Sequence, residues 1–248
     1  MKKNSKEILV YISVIFAVLI ILNVIITFFG KMPDGKKVEI FNNSSGNFGP
    51  VSILLPAVDE SGNGTITTLR VDIVNGSGKT LVGIDNLLFF ADTQQSIRVA
   101  RLVAQDVTKV NLSNYDLTYG IEANASVIGG PSAGAALAIA TIAAIEGKKV
   151  RGDVLITGAI NRDGSIGPVT SILTKAEASK RAGASVFLVP LLQSRDVIYE
   201  TDEYCEKFGA TEFCTEETKP RRVNITQETG IKIVEVENIS EAARYFFS

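Results

Sequence analysis

The sequence predicts a mixed α/β domain of the α+β type, preceded by an N-terminal transmembrane helix. Within 51–248, short segments with strand patterning alternate with segments of helical spacing, as in a single α/β or α+β domain. Ahead of them lies an uncharged apolar run, 8–30, long enough to cross the roughly 30 Å hydrocarbon core of a bilayer. The segment 31–50 is rich in Gly, Asn, Ser and Lys and is interpreted as a linker. The chain therefore divides into a cytoplasmic tip with a transmembrane anchor (1–30), a linker (31–50) and one folded domain (51–248).

The apolar run 8–30 is interpreted as an uncleaved anchor. A cleaved signal peptide would have a shorter apolar region, of roughly 7–15 residues, followed by a small-x-small cleavage site. This run instead ends in Phe28-Phe29-Gly30-Lys31. Lysines flank it on both sides in nearly equal number, so the positive-inside rule does not settle the orientation.

Asn-x-Ser/Thr sequons favour a cell-membrane protein whose folded domain lies outside the cytoplasm. They begin at Asn42, Asn43, Asn63, Asn75, Asn111, Asn124, Asn224 and Asn238. The cysteines Cys205 and Cys214 are either two buried thiols or one local disulfide, and an extracytoplasmic domain favours the disulfide.

The composition excludes several kinds of site. The chain contains no histidine, which rules out a Ser-His-Asp triad or a His-ligated zinc site built from this chain alone. Two cysteines are too few for a structural zinc site, so no metal or other cofactor is expected. A net charge of −2 with scattered basic residues gives no indication of a nucleic-acid partner.

The domain is predicted to begin with strands. Segment 51–55 has a strand pattern, and 65–74 alternates polar and apolar residues. The turn dipeptide Asn75-Gly76 follows, and 80–84 resumes the pattern, which predicts a β-hairpin.

Helices and strands alternate through the rest of the domain. Helices are predicted over 92–107, 131–145, 174–182 and 240–247, and strands over 115–121, 154–159, 185–190 and 231–236. Asp92 is a plausible cap of the first helix, and Gly183 ends the third. The helix 131–145 is apolar on nearly all sides, so it is expected to be buried.

Two motifs are weaker than they first look. Segment 76–80, Gly-Ser-Gly-Lys-Thr, resembles the end of a phosphate-binding P-loop, but Ile73 stands where the full motif has glycine. It is interpreted as a turn, without ATP binding. Segment 130–134 matches the Gly-x-Ser-x-Gly nucleophile elbow around Ser132, but that arrangement needs a histidine. If Ser132 is a nucleophile, its base must be another residue.

The stretch around Ser132 resembles the proteolytic domain of the Lon protease family. Its Pro-Ser-Ala-Gly segment (131–134) is similar to the family's nucleophile segment, and the strand at 154–158 ends in a similar Thr-Gly. The loop at 164–169, the lysine helix at 175–183 and the strand at 186–190 follow in the same order. The resemblance covers roughly 51–248 and is closest to short, membrane-bound archaeal Lon-like proteins without an ATPase module. It implies a serine endopeptidase that acts on unfolded or flexible polypeptides as a homo-oligomer, with the hexameric ring as the assembly suggested by the family.

The chemistry of these residues is consistent with the resemblance. A serine needs a base to become nucleophilic, and in a chain without histidine Lys175 is the natural candidate for Ser132. Burial must lower the pKa of that lysine to about 7–8 before its amine can accept a proton. Thr157 is a supporting residue that would orient the amine. The backbone N–H of Ala133, at a helix N-terminus, would stabilise the oxyanion. Singly, each of these residues has an ordinary structural explanation.

This sequence departs from the Lon family pattern near the serine. Family members carry an acidic residue three positions before it, where this chain has Gly129. The alternative function is therefore a catalytically inactive Lon-like binding or scaffold protein at the membrane. ATP-driven unfolding of substrates would require a partner protein.

Overall fold

The computed structural model describes residues 48–83, 88–89, 91–122, 127–128, 130–209 and 211–247. The predicted anchor (8–30) lies outside the described residues, as does nearly all of the predicted linker. Among the residues that are described, none of the helices is both long enough and apolar enough to cross a membrane.

Strands and helices alternate along the described chain, which confirms the mixed α/β fold class. The strands are β1 (Val51–Val58), β2 (Gly64–Asn75), β3 (Thr80–Val82), β4 (Leu88–Phe89), β5 (Tyr115–Glu122), β6 (Val127–Ile128), β7 (Val154–Ile156), β8 (Ala159–Ile160), β9 (Ile166–Gly167), β10 (Val186–Pro190), β11 (Arg195–Phe208), β12 (Thr211–Asn224) and β13 (Lys232–Val236). The α-helices are α1 (Ala91–Thr108), α2 (Gly134–Glu146), α3 (Ile172–Arg181), α4 (Ile225–Thr229) and α5 (Ile239–Phe246).

The first sheet has the strand order β1-β2-β5-β3, which corrects the predicted hairpin. β2 pairs with β5 rather than with β3, and β3 runs parallel to β5 on its other side. The observed hairpin is instead β1–β2, whose turn is closed by the Asp59 carboxylate accepting the Ser61 and Asn63 N–H groups.

Side-chain contacts explain why β3 crosses to the far side of β5. The Asp116 carboxylate accepts the N–H groups of Ser77 and Lys79, each at 2.8 Å. Arg101 on α1 donates to the Thr80 hydroxyl and to the Gly78 carbonyl. The backbone N–H groups of Lys79 and Ser77 also hold the pKa of Asp116 below its usual range. The Gly-Ser-Gly-Lys turn therefore binds an anion, but that anion is the protein's own carboxylate.

Helix α2 lies at the centre of the core. All its residues from Gly134 to Ile145 are buried, as the uniformly apolar sequence predicted. It packs against α1, β1, β2 and α5. A second, parallel sheet has the order β13-β10-β7, so the carboxyl ends of its strands lie at one edge. This is the edge at which open α/β sheets commonly bind ligands.

The sequence did not predict the longest strands, β11 and β12. They form an antiparallel two-stranded ribbon, called the ribbon below, with Arg195 opposite Asn224 at its base. Cys205 lies opposite Cys214 near the tip, and the two form a disulfide.

Candidate active site

Ser132 lies in a tight turn at the start of the buried helix α2. The turn, Pro131–Ala133, is one turn of 3-10 helix that leads directly into Gly134. Pro131 suits the first position because its missing N–H would have no partner there. Gly130 precedes it at φ 98°, a backbone conformation that favours glycine. The half-buried Ser132 therefore stands at the positive end of a helix dipole.

Hydrogen bonds fix this turn to the residues that follow β7. The Gly158 N–H donates to the Ser132 carbonyl at 3.0 Å, and the Ala135 N–H donates to the Gly158 carbonyl at 2.9 Å. The hydroxyl of the fully buried Thr157 also donates to the Ser132 carbonyl, at 3.4 Å. Thr157 thus supports the backbone of the serine, whereas the sequence predicted that it would bond the Lys175 amine.

Gly134 allows the turn to approach β8 closely. A Cβ atom at this position would lie 2.7 Å from the Ile160 backbone nitrogen, which is closer than van der Waals contact allows. The glycine of the Pro-Ser-Ala-Gly segment is therefore required by the packing of the serine turn onto the β8 backbone.

Lys175 lies on the buried face of α3. Its side chain is 5% exposed and shares that face with Ile172 and Ala176. Burial lowers the pKa of Lys175 from 10.5 to about 8, because desolvation disfavours the ammonium form. In the described part of the chain no carboxylate forms an ion pair with it, and its amine donates to the Thr170 carbonyl at 3.1 Å.

A strained residue shapes the backbone around the lysine. Ser171, the residue before α3, has φ 58° and ψ 41°, a left-handed conformation uncommon for a residue with a side chain. Its carbonyl accepts the Lys175 N–H, while the preceding carbonyl, that of Thr170, accepts the side-chain amine. Backbone strain of this kind is often found at functional sites.

Short backbone contacts connect the serine turn with the loop that precedes the helix of Lys175. Gly158, which bonds Ser132, is followed by Ala159, and Ala159 pairs with Gly167 across β8–β9. The Thr170 carbonyl, which accepts the Lys175 amine, is three residues further along. No hydrogen bond joins the Ser132 hydroxyl to the Lys175 amine in the described structure, so the predicted dyad remains a prediction.

Asp92 makes a contact that the sequence did not reveal. It was predicted only as a helix cap, and its Oδ1 does accept the Thr93 N–H at the start of α1. Its Oδ2 accepts the Gly130 N–H at 2.9 Å, directly before the serine turn. A carboxylate from another element therefore lies beside the turn in a chain that has Gly129 at the family's acidic position.

The arrangement is suited to acyl transfer. It combines a hydroxyl at a helix N-terminus, a desolvated amine and the first N–H groups of a helical turn, including that of Ala133, which have no intrahelical acceptor. The described residues offer no convincing metal site, because Glu203 is exposed and the two sulfurs beside it, of Cys205 and Cys214, are joined in the disulfide.

Comparisons with known proteins point to one family. The family model described as the Lon protease (S16) C-terminal proteolytic domain matches residues 62–211, which include Ser132, Thr157 and Lys175. The Lon protease of Syntrophomonas wolfei is 33% identical over 141 residues, covering 56% of this chain and 17% of that protein. The Lon protease of Escherichia coli K12 is 30% identical over 138 residues, covering 54% of this chain and 18% of that protein. The chain therefore spans less than a fifth of the length of these relatives.

Proposed function

Because the chain belongs to the Lon protease (S16) C-terminal proteolytic domain family, a family of serine-type peptidases, we propose that it is a serine endopeptidase. Ser132 attacks the carbonyl carbon of a peptide bond while the neutral amine of Lys175 accepts the hydroxyl proton. The tetrahedral oxyanion is stabilised by the N–H groups of the serine turn, including that of Ala133. The departing amine takes the proton from Lys175 and leaves an acyl-enzyme. Water then attacks the ester while Lys175 accepts its proton. The Ser132 oxygen takes that proton back as the acid is released, which restores the neutral amine.

The burial of Lys175 is the single observation that carries this proposal. An exposed lysine would be almost fully protonated at neutral pH and could not accept a proton. With its pKa lowered to about 8, half of the molecules hold a neutral amine at that pH. The amine now donates to the Thr170 carbonyl, so catalysis requires it to turn toward Ser132 when substrate binds. Catalytic hydrogen bonds commonly tighten only in the substrate complex.

The same proposal includes where the enzyme acts and in what form. The segment 8–30 anchors it in the cell membrane, the catalytic domain lies outside the cytoplasm, and the chain works on flexible or unfolded proteins as a homo-oligomer. The exposed disulfide supports an oxidising compartment. The number of Asn-x-Ser/Thr sequons supports an extracytoplasmic domain less strongly. Three of these asparagines, Asn111, Asn224 and Asn238, accept backbone N–H groups as helix caps. Protease access in intact cells would test the side of the membrane.

Two variants with matched controls test the mechanism. Ser132→Ala and Lys175→Ala should each lower the cleavage of an unfolded protein by about 10³-fold or more. Ser113→Ala and Lys180→Ala replace exposed residues of the same types and should leave cleavage unchanged.

The proposed mechanism is wrong if both site variants cleave as well as the parent. If the folded parent neither cleaves nor reacts with a serine-directed probe, the non-catalytic scaffold function is favoured instead.

A further inference from the structure

The ribbon takes no part in the proposed reaction and is almost entirely exposed. Every residue from Tyr199 to Arg222 that the structure describes is exposed, and burial begins only at the base, where Val223 is 3% exposed. A two-stranded hairpin is marginally stable by itself in water. This one is held by the Cys205–Cys214 disulfide and by a 3.1 Å hydrogen bond between the hydroxyls of Thr201 and Thr218. The ribbon is therefore a braced, exposed arm.

One face of the arm carries an aromatic cluster near its tip. The strand register places Tyr204, Phe208 and Phe213 on the same face. Their exposures are 54%, 64% and 58%, and the two phenylalanine rings lie 5.9 Å apart. Exposed aromatic groups that no other part of the described domain covers are typical of a contact surface.

The distal part of the arm, 200–217, is strongly acidic. It contains seven carboxylates and one lysine, a net charge of −6. Within this part of the arm, Lys219 pairs with Asp202 and Glu217, and Arg221 pairs with Glu200; Arg221 also pairs with Glu228 beyond the arm. Within 200–217, the carboxylates that form no ion pair with another described residue are those of Glu203, Glu206, Glu212 and Glu216.

The strand register places two of these carboxylates directly against each other. Glu203 lies directly opposite Glu216, and like charges in opposed positions destabilise a sheet. The two residues lie on the face opposite to the aromatic cluster. A cationic partner lying beside them would remove the repulsion.

The arm also begins at the edge of the parallel sheet where the candidate active site lies. Thr157 follows the carboxyl end of β7, and the segment leading into the arm follows the carboxyl end of β10, which is paired with β7 in parallel. The Thr157 N–H donates to the Leu188 carbonyl, which joins the end of β7 directly to β10.

We propose that the ribbon is a docking arm for extended polypeptide segments rich in lysine and arginine that also carry apolar side chains. This inference rests on the proposed peptidase function and makes basic unfolded chains the preferred substrates. Because Glu203 and Glu216 lie on the face opposite to the aromatic cluster, the bound segment crosses an edge of the ribbon. Its cations pair with Glu203 and Glu216, and its apolar groups contact the aromatic cluster. Phosphate-bearing partners, whether anionic lipid or nucleic acid, are repelled by the same charge.

Binding can be measured without cleavage on the full 248-residue chain carrying Ser132→Ala. Two fluorescent unfolded peptides of equal length, one alternating Lys with Leu and the other Glu with Leu, are compared by anisotropy. We expect the Lys peptide to bind more tightly and Glu203→Gln/Glu216→Gln to weaken its binding about tenfold, an effect that high salt abolishes. The control, Glu60→Gln/Asp106→Asn, removes equal charge from exposed sites elsewhere and should not change binding.

Equal binding of the two peptides, or equal binding by the arm variant and the control, overturns the proposal. A second variant, Phe208→Ser/Phe213→Ser, should also weaken binding of the Lys peptide. If this variant instead changes the sedimentation of the chain, without changing peptide binding, the occupant is a second copy and the proposal is wrong.

Cleavage assays on the parent separate this inference from the proposed function. If the arm binds Lys peptides but the parent cleaves none, the peptidase function fails and the arm is a binding site only. If the parent cleaves a short neutral peptide and both long peptides with the same KM, the peptidase function stands and the docking arm fails. We expect Glu203→Gln/Glu216→Gln to raise KM for the long Lys peptide and leave cleavage of the short neutral peptide unchanged.

Discussion

Replacing Lys175 by methionine should abolish cleavage and at the same time stabilise the fold at neutral pH. Methionine has a similar length and fits the apolar surroundings of Ile172 and Ala176 without a charge. The lysine, in contrast, is an ammonium ion at pH 7 that has lost nearly all contact with water. If the lysine is retained for catalysis at the expense of stability, its replacement should both abolish cleavage and stabilise the fold.

The magnitude follows from the shift in pKa. Lowering the Lys175 pKa from 10.5 to about 8 corresponds to about 3 kcal/mol at ~1.4 kcal/mol per pKa unit. Because the folded-state pKa is the lower one, the penalty is absent well above pH 10.5, grows as the pH falls, and is complete below about pH 8. Between pH 7 and pH 9.5 the parent should therefore gain about 2 kcal/mol relative to Lys175→Met. The lost hydrogen bond to the Thr170 carbonyl offsets about 1 kcal/mol of the stabilisation at pH 7.

Urea denaturation of both proteins at pH 7 and pH 9.5 measures this difference. Lys180→Met is the matched control, because Lys180 lies on the same helix but is exposed, and it should change neither stability nor cleavage appreciably. The reasoning is refuted if Lys175→Met destabilises the protein at pH 7 and the difference from the parent does not depend on pH. That result would mean that the amine keeps its ordinary pKa and is not available as a base.

Three further predictions concern the site. If neutral Lys175 is the base, kcat/KM should rise about tenfold from pH 7 to pH 9 with a midpoint near pH 8, and a flat profile would exclude that role. Gly134→Ala should lower the free energy of unfolding by about 1–3 kcal/mol, because its Cβ would overlap the β8 backbone. Gly120→Ala, whose Cβ would meet none of the described atoms within 4 Å, is the control in the same urea titration. Asp92→Ala should lower kcat about tenfold by releasing the Gly130 N–H. Asp92→Asn keeps one acceptor oxygen; with that oxygen on the Gly130 N–H and the Thr93 N–H released, it should stay within about threefold of the parent. Equal loss in both variants would show that the charge of Asp92 matters rather than its hydrogen bond.

Most individual elements of the domain could be predicted from local patterns. The uniformly apolar run after Ser132 predicted a buried helix, and α2 is buried from Gly134 to Ile145. The strand patterns at 51–55, 65–74 and 115–121 correspond to β1, β2 and β5. These predictions succeed because apolar residues recur along an element with the spacing of its buried face.

The pairing of strands could not be predicted in the same way. Asn75-Gly76 is a strong local hairpin signal, yet β5 lies between β2 and β3. The deciding contacts come from Arg101 and Asp116, which are 21 or more residues away from the groups in this turn that they bind. The ribbon was missed because its strands are exposed and carry charged residues on both faces, so no buried face gives them a period.

By itself the sequence determined which residues could carry out the catalytic chemistry. The absence of histidine, and a serine and a lysine in a recognisable order, left Ser132 and Lys175 as the candidate nucleophile and base. Only the tertiary structure decided the environments of these groups. It buried the lysine away from every carboxylate whose ion pairs the structure describes, attached the serine turn to Thr157 and Gly158, and brought Asp92 to Gly130 from 38 residues away. Desolvation and long-range hydrogen bonds depend on which distant segments meet in space, and the order of residues along a chain does not record this.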